Sequence, residues 1–302
     1  MTPDLAILYE HPLWFEPLFA ALDRRGVSYA RIRLDDHSFD PARSAPPAPV
    51  IFSRVAMSGF LREPDHGIFY AAALLDGWRQ QGASLINGDA LAIDSSKARQ
   101  LSLIASLGYK APETRVVHRA RDLVAAADGL AWPLLVKANI GGAGAGIVRY
   151  DTLDQLAAGP HPDSIDKVLL LQEYAPARDG KITRVETLGG KFLYAIDIES
   201  DGGFDLCPAD ACVATPGRAA VRMTATTPLP EVIEAAEKIA QAAKLDVGGV
   251  EYLIDDRDGA VLFYDINALS NFVARPLDVL GWDPHEKLVD LIEARIAERK
   301  AQ

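Results

Sequence analysis

Along the first 90 residues, short apolar runs alternate with amphipathic stretches. LAILYE, PLFAALDRRG and YARIRL read as strand, helix and strand with a stop at Gly26, so the chain opens with a βαβ unit. A Pro-rich bridge, PARSAPPAP, suits a surface loop. PVIFSRV then predicts a third strand, FYAAALLDGWRQQG a helix with apolar residues at helical spacing, and SLING a short fourth strand. This is the pattern of a small doubly wound α/β domain without a glycine fingerprint of its own.

The next block opens with a helix near Ser95, SSKARQLSLIASLG, with Asp94 or Ser95 as cap and Gly108 as stop. APETRVVH (strand), RARDLVAAADG (helix), WPLLVKAN (strand), a glycine loop, IVRY (strand), TLDQLAAG (helix) and KVLLLQEYA (strand) follow. A third block holds two strand-rich pieces, ITRVETLGGKFLYAIDIES and VGGVEYLIDDRDGAVLFYDINAL, on either side of the helix PEVIEAAEKIAQAAK. GG and RDG are their hairpin turns. The amphipathic helix PHEKLVDLIEARIAERK closes the chain. The expected division is 1–92, 93–175 and 176–302: a doubly wound domain, then two α+β units.

Bulk properties narrow the class. The chain has 302 residues, 49% hydrophobic and 24% charged, as in a globular protein of more than one unit. Lys and Arg number 31 against 42 Asp and Glu, a net charge of −11, and the basic residues are scattered, which argues against nucleic acid. No run of 18 residues lacks charge and the N-terminus has no basic leader, so no membrane association is expected. Cys207 and Cys212 are too few for a disulfide framework and suit a reducing compartment, which predicts the cytoplasm.

The stretch VKANIGGAGAGIVRY, Val136 to Tyr150, carries glycines at 141, 142, 144 and 146. A dinucleotide fingerprint fails because its third glycine would fall on Ile147, and a Walker loop fails because Ile147 and Val148 stand where Lys and Ser/Thr are needed. A strand on each side leaves a hairpin lid or an ordinary surface turn. Lys137 precedes this loop on a strand, where burial without an anion is costly, so a phosphate is its natural partner. Lys97, in the first turn of a helix, can do the same or reach solvent. Glu251 on one strand and Asp265 and Asn267 on its hairpin partner can share a sheet face, as oxygen ligands suited to Mg²⁺ or as an exposed polar face. Asp255, Asp256 and Asp258 read as solvated turn residues. The strand end Gln172, Glu173, Tyr174 can offer backbone groups to an adenine edge. Arg275 and Arg54 can each clamp a carboxylate or serve structure, Trp14 and Phe15 can line a crevice or fill a core, and Cys207 and Cys212, spaced C-x₄-C, fit structure or substrate lining better than zinc.

Taken in order, Lys97, Lys137 before GGAGAG, QEYAP, Arg184 in ITRVETLGGK, and Glu251 with Asp265 and Asn267 resemble the ATP-grasp superfamily, closest to RimK-type glutamate ligases and glutathione synthetases. The resemblance spans essentially the whole chain. It implies ATP between two α+β subdomains, with a Rossmann-like pre-ATP-grasp domain ahead of them. Lys97 and Lys137 would contact the nucleotide, and Gly141, Gly142, Ala143 and Gly144 would cover the triphosphate. Gln172, Glu173, Tyr174 and Ala175 would hold the adenine, and Asp179 the ribose, because Ile182 stands where an acidic residue is usual. Glu251, Asp265 and Asn267 would bind Mg²⁺, with Mn²⁺ as substitute, and Arg184 and Arg275 would serve catalysis.

The implied reaction is ligation of a small carboxylate, such as an amino acid, to an amine through an acylphosphate. A small-molecule kinase on the same fold and a non-catalytic nucleotide-binding module are the alternatives. The partners would be small molecules, and family members are commonly dimers or tetramers. The sequence departs from the RimK pattern in the order of its two metal carboxylates and in FDLCPADAC, where Asp210 could face substrate. Ser270 and Asn271 would border the acceptor site.

Overall fold

A computed structural model describes residues 2–11, 13–61, 67–142, 146–200, 221–268 and 271–302. Ala143, Gly144, Cys207, Asp210, Cys212 and Ser270 lie outside the described residues. The first sheet contains β1 (Leu5–Tyr9), β2 (Tyr29–Arg33), β3 (Val50–Arg54) and β4 (Ser84–Ile86), all parallel in the order β2-β1-β3-β4. β1 and β3 are buried throughout, as parallel strands covered on both faces must be. Helix α1 (Glu16–Arg25) ends at Gly26 in the left-handed region, as expected, and packs its Leu18, Phe19 and Leu22 on one face of the sheet. Helix α2 (Ile68–Gln80) covers the other with Ala71, Leu74 and Trp78. A short helix, α3 (Ala90–Asp94), leads out of this layer.

Helix α4 (Lys97–Ser106) is capped by Ser96, whose hydroxyl accepts the Arg99 N–H. Neither Asp94 nor Ser95 caps it. Asp94 instead accepts the backbone N–H of Ala268 at 2.8 Å. The middle sheet combines β5 (Thr114–Val117), β6 (Leu134–Ala138), β7 (Ile147–Tyr150) and β8 (Leu169–Glu173) in the antiparallel order β5-β8-β6-β7. β6 and β7 form the hairpin that carries the glycine loop, Leu134 opposite Tyr150 and Lys137 opposite Ile147. The helix expected from RARDLVAAADG is shorter, a 3₁₀ turn followed by α5 (Leu123–Ala126). With α6 (Leu153–Ala158) it closes a small core of Leu123, Leu134, Val136, Leu156 and Leu171.

The third sheet is antiparallel, β11-β10-β9-β12-β13, from β9 (Lys181–Leu188), β10 (Lys191–Ser200), β11 (Val221–Thr226), β12 (Val247–Ile254) and β13 (Val261–Asn267). The sequence pattern misses the edge strand β11 and the short helix α8 (Pro276–Leu280). Val185, Val250 and Ile266 share a core with Val232, Ala236 and Ile239 of α7 (Pro230–Ala242). Strand alternation therefore sends Arg184, Glu186, Glu251, Asp265 and Asn267 to the opposite face. Helix α9 (Pro284–Lys300) returns from the end of the chain to the first sheet, where Leu288, Val289 and Ile292 join the core of α1. Asp255 departs from its expected solvated role: it is 3% exposed and takes a double hydrogen bond from Arg257. Asp256 and Asp258 are exposed, as expected.

Candidate active site

The antiparallel register decides which side chains meet. Glu251 of β12 lies opposite both Asp265 of β13 and Arg184 of β9, so three charged groups from three strands fall in one row. Asn267, two residues beyond Asp265, donates its amide to Glu251 at 3.0 Å and approaches Asp265 at 3.5 Å. Tyr264 donates its hydroxyl to the other Glu251 oxygen at 3.2 Å. Lys97, the first residue of α4, closes the row by donating Nζ to Asp265 at 2.6 Å. Each of these side chains is only 18% exposed, so this lysine is seated on the acidic face and does not reach out to solvent.

What holds α4 in that position is Gln100, one turn further on. Its side-chain amide donates to Ile266 O and its carbonyl accepts Ile266 N–H, both at 3.1 Å, so the helix is clamped to the strand between Asp265 and Asn267. Helix α4 falls on the middle side of the expected boundary in sequence, yet it docks on the third sheet.

Arg184 is 2% exposed. Its Nε donates to Glu186 at 2.5 Å and an Nη lies 3.6 Å from Glu251. Burial opposes the guanidinium charge, but Glu186 and Glu251 outweigh it and its pKa is raised. Glu186 was not singled out from sequence. Its signal was a carboxylate two residues after an arginine on a buried strand, where strand periodicity must return both to one face. Glu251 is pushed up to about 7, first by burial and then by the charge of Asp265, against Arg184 and Lys97. For Lys97, burial lowers the pKa but Asp265 and Glu251 more than offset it, so it is raised.

Lys137 approaches from the middle sheet. Its Nζ donates to Gln172 Oε1 at 2.6 Å and lies 5.7 Å from the ring centroid of Tyr264. With no carboxylate within salt-bridge range among the described residues, burial and then the charge of Lys97 lower its pKa to about 8. Gln172 therefore reaches Lys137 along one face of the sheet, two residues beyond Leu170, the register partner of Lys137, toward the end of β8 away from the lid. Further along, the backbone N–H groups of Glu173 and Tyr174 are engaged by the carbonyls of Glu113 and Pro133, and the Glu173 carboxylate accepts Ala131 N–H at 2.8 Å. Ala175 is buried. Gly141 and Gly142 begin the glycine loop, and a Cβ on Gly142 would stand 3.1 Å from that of Ser58, so the loop rests on the segment after β3 where only glycine fits easily.

The remaining expected residues lie apart from this row. Asp179 occupies the exposed turn before β9 with φ of 56°, in the left-handed region. Arg275 is 69% exposed at the start of α8, with Asp278 at 4.0 Å. Asn271 donates to the backbone carbonyl of Trp14 at 2.6 Å, tying the segment after β13 to the segment between β1 and α1. Trp14 and Phe15 are buried there, as the core reading of that pair anticipates.

Residues 94–292 match the RimK-like ATP-grasp domain family. The fold is similar along nearly its full length to the ATP-grasp ligase PsnB, solved with a minimal precursor: 15% identity, 97% of this chain and 99% of that one, TM-score 0.68. A RimK domain ATP-grasp protein from Sphaerobacter thermophilus DSM 20745 is 18% identical over 95% and 98% of the two chains, with a TM-score of 0.68. D-Alanine–D-alanine ligase from Bacillus anthracis is 17% identical over 98% of each, with a TM-score of 0.66. Among curated proteins no match was found. The matched family covers well over half of the chain, and the chain belongs to the RimK-like ATP-grasp family of ATP-dependent carboxylate–amine ligases.

Proposed function

We propose that the protein joins a small carboxylate, such as an amino acid, to an amine through an acylphosphate, using the row Lys97, Asp265, Asn267, Glu251 and Arg184 beneath Lys137. That row is the observation that carries the reading. Two carboxylates and an amide on one sheet face, flanked by Lys97 and Arg184 and met by a cation from a second sheet, suit phosphoryl transfer, which depends on positioning and charge neutralisation more than on a protein nucleophile.

Two carboxylates and an amide within hydrogen-bond reach of one another form a hard oxygen donor set that fits Mg²⁺. Asn267 offers Nδ2 to the carboxylates, and turning the amide over presents Oδ1 to the same space. Glu251 is pushed up to about 7 by burial and then by the charge of Asp265, and a bound cation would offset both. When bound, Mg²⁺ supplies neutralisation of phosphate charge. Lys97 and Lys137 bind phosphate oxygens, and a phosphate beside Lys137 restores the proton affinity that burial takes from it. Gly141, Gly142, Ala143 and Gly144 cover the triphosphate, Gln172 to Ala175 border the base and Asp179 the ribose.

A substrate carboxylate oxygen attacks the γ-phosphorus, the bond to ADP breaks, and the amine nitrogen then attacks the acyl carbon and expels phosphate, losing a proton. Arg184, held by Glu186 and always charged, stabilises the charge that develops on the transferring group, while Arg275 meets substrate at the mouth of the site. We place the domain divisions at 1–92, 93–175 and 176–302, supported by one sheet falling in each. Among the described residues no helix is long and apolar enough to cross a membrane. Cytoplasmic residence and a homo-oligomeric state complete the proposal.

The test is ADP and phosphate release from Mg²⁺-ATP with amino acids and amines offered singly and in pairs. Asp265→Ala is expected to lower turnover by roughly 100-fold or more, as for loss of one charge-stabilising group. Undiminished turnover in that variant sinks the proposal, and a stable phosphorylated product formed without any amine identifies a kinase.

A further inference from the structure

Arg54 is the last residue of β3, opposite Tyr9 at the end of β1. Ends of parallel strands are where doubly wound sheets place their ligands. Strand alternation points Arg54 with Phe52 toward the core that the first sheet shares with Tyr194, Ile196 and Phe272. Its guanidinium lies 5.7 Å from the ring centroid of Phe15, 5.4 Å from that of Phe52 and 6.0 Å from that of Phe272, and the residue is 1% exposed.

Among the described residues no carboxylate comes within 4.0 Å of this cation, and its Nε has no acceptor. The nearest charges are already engaged: Glu186 accepts from Arg184 at 2.5 Å, and Asp94 accepts the Ala268 N–H at 2.8 Å. Burial, and Arg184 against the pull of Glu186, lower the Arg54 pKa to about 10. The buried cations seated on the face of the third sheet are paired, Arg184 with Glu186 and Lys97 of α4 with Asp265. Lys137 and Arg54 are cations without a carboxylate partner among the described residues, and they approach the paired row from the middle sheet and the first sheet. Lys137 is on the lid side, where phosphates belong. Arg54 comes from the first sheet, walled by aromatic rings and within the fields of Glu186 and Arg184.

An unpaired buried guanidinium is costly unless an anion completes it, and its planar fork matches a carboxylate. We infer that Arg54 binds a free carboxylate of one of the two organic substrates, so that one partner in the ligation is an amino acid or similar acid that keeps a carboxylate unreacted. This inference rests on the ligase reading above and assigns the first domain a direct part in choosing the substrate.

The experiment measures initial rates of ADP release from Mg²⁺-ATP with the twenty amino acids in pairs, each also supplied as its carboxamide. The wild-type protein is expected to lose about 100-fold or more in kcat/KM when the retained carboxylate becomes a carboxamide, as for loss of a buried charge-assisted pair. Arg54→Gln is expected to raise KM for that same substrate by a similar factor, to leave KM for ATP unchanged and to narrow the acid-to-amide difference to a few-fold. Arg54→Lys should recover part of the loss. Thermal unfolding of Arg54→Leu should give a Tm no lower than wild type, because a buried charge without a carboxylate partner among the described residues has been removed.

The carboxamide comparison needs no variant and decides the matter even if a substitution fails to fold. Equal use of acid and amide by the wild-type protein, unchanged KM for both organic substrates in Arg54→Gln, or a shift confined to ATP overturns the inference while the ligase reading stands. No ADP release with any pair overturns both.

Discussion

Gly249 gives Arg184 its room. A Cβ built there would lie 2.5 Å from Nε and 2.9 Å from Cζ, against a side chain pinned by Glu186 and facing Glu251. A flexible arginine tip could swing away, but this one is enclosed and held by Glu186. Gly249→Ala is therefore expected to cost about 1–3 kcal/mol by overpacking. It should also lower turnover by roughly 10–100-fold through a displaced guanidinium. Urea unfolding together with steady-state rates checks both, and wild-type turnover would show that Arg184 need not sit where it does. The arginine itself was legible in sequence. The glycine that admits it was not, because that contact joins neighbouring strands whose pairing no local pattern states.

Between elements, Asn87 is the fastener of the first sheet. It follows β4 with φ of 57°, a left-handed conformation that asparagine tolerates better than most residues. Its side-chain amide donates to Val247 O at 2.7 Å and Ala268 O at 2.8 Å, and its carbonyl accepts the N–H groups of Asp246 at 2.9 Å and Val247 at 3.1 Å. One buried side chain thus serves the start of β12 and the residue just past β13, the two strands that carry Glu251, Asp265 and Asn267. Asn87→Ala strands up to four backbone groups and is expected to cost about 3 kcal/mol or more, at about 1–3 kcal/mol for each buried group left unsatisfied. A lower urea midpoint with an unchanged slope is the expected signature. An unchanged midpoint would mean that water replaces the side chain. Most strands and both long hairpins of the third sheet were legible at this scale through period-two apolar runs and GG or RDG turns. β11 and α8 were not, since an edge strand and a five-residue helix bury too little to leave a period.

Across the whole molecule, the first and third sheets share two cores, and the middle sheet has one of its own. Helix α9 adds to the joining, with Arg24 on Glu286 and Arg25 on Asp290 linking it to α1. The middle sheet reaches the acidic row through Lys137, and nucleotide with metal would supply the charge between them. ADP with Mg²⁺ at 100 times its dissociation constant is therefore expected to stabilise the protein by about 2.7 kcal/mol. The shift should shrink when EDTA removes the metal and in Asp265→Ala. Thermal unfolding measures this, and an EDTA-insensitive shift would remove Mg²⁺ from the site.

By itself the sequence determined the alternation of elements, the doubly wound opening, the glycine hairpin and the residue types for oxygen-ligand and phosphate chemistry. Each of these is written in neighbours a few positions apart, through periodicity, turn residues and the cost of burying charge. Only the tertiary structure decided that Lys97 pairs with Asp265, that Glu251 faces Arg184, that Asp255 is buried and that Arg54 is a buried cation without a carboxylate partner among the described residues. Those outcomes depend on strand register and sheet packing, which bring together residues as distant in sequence as Lys97 and Asp265 and fix which charges are matched and which await a ligand.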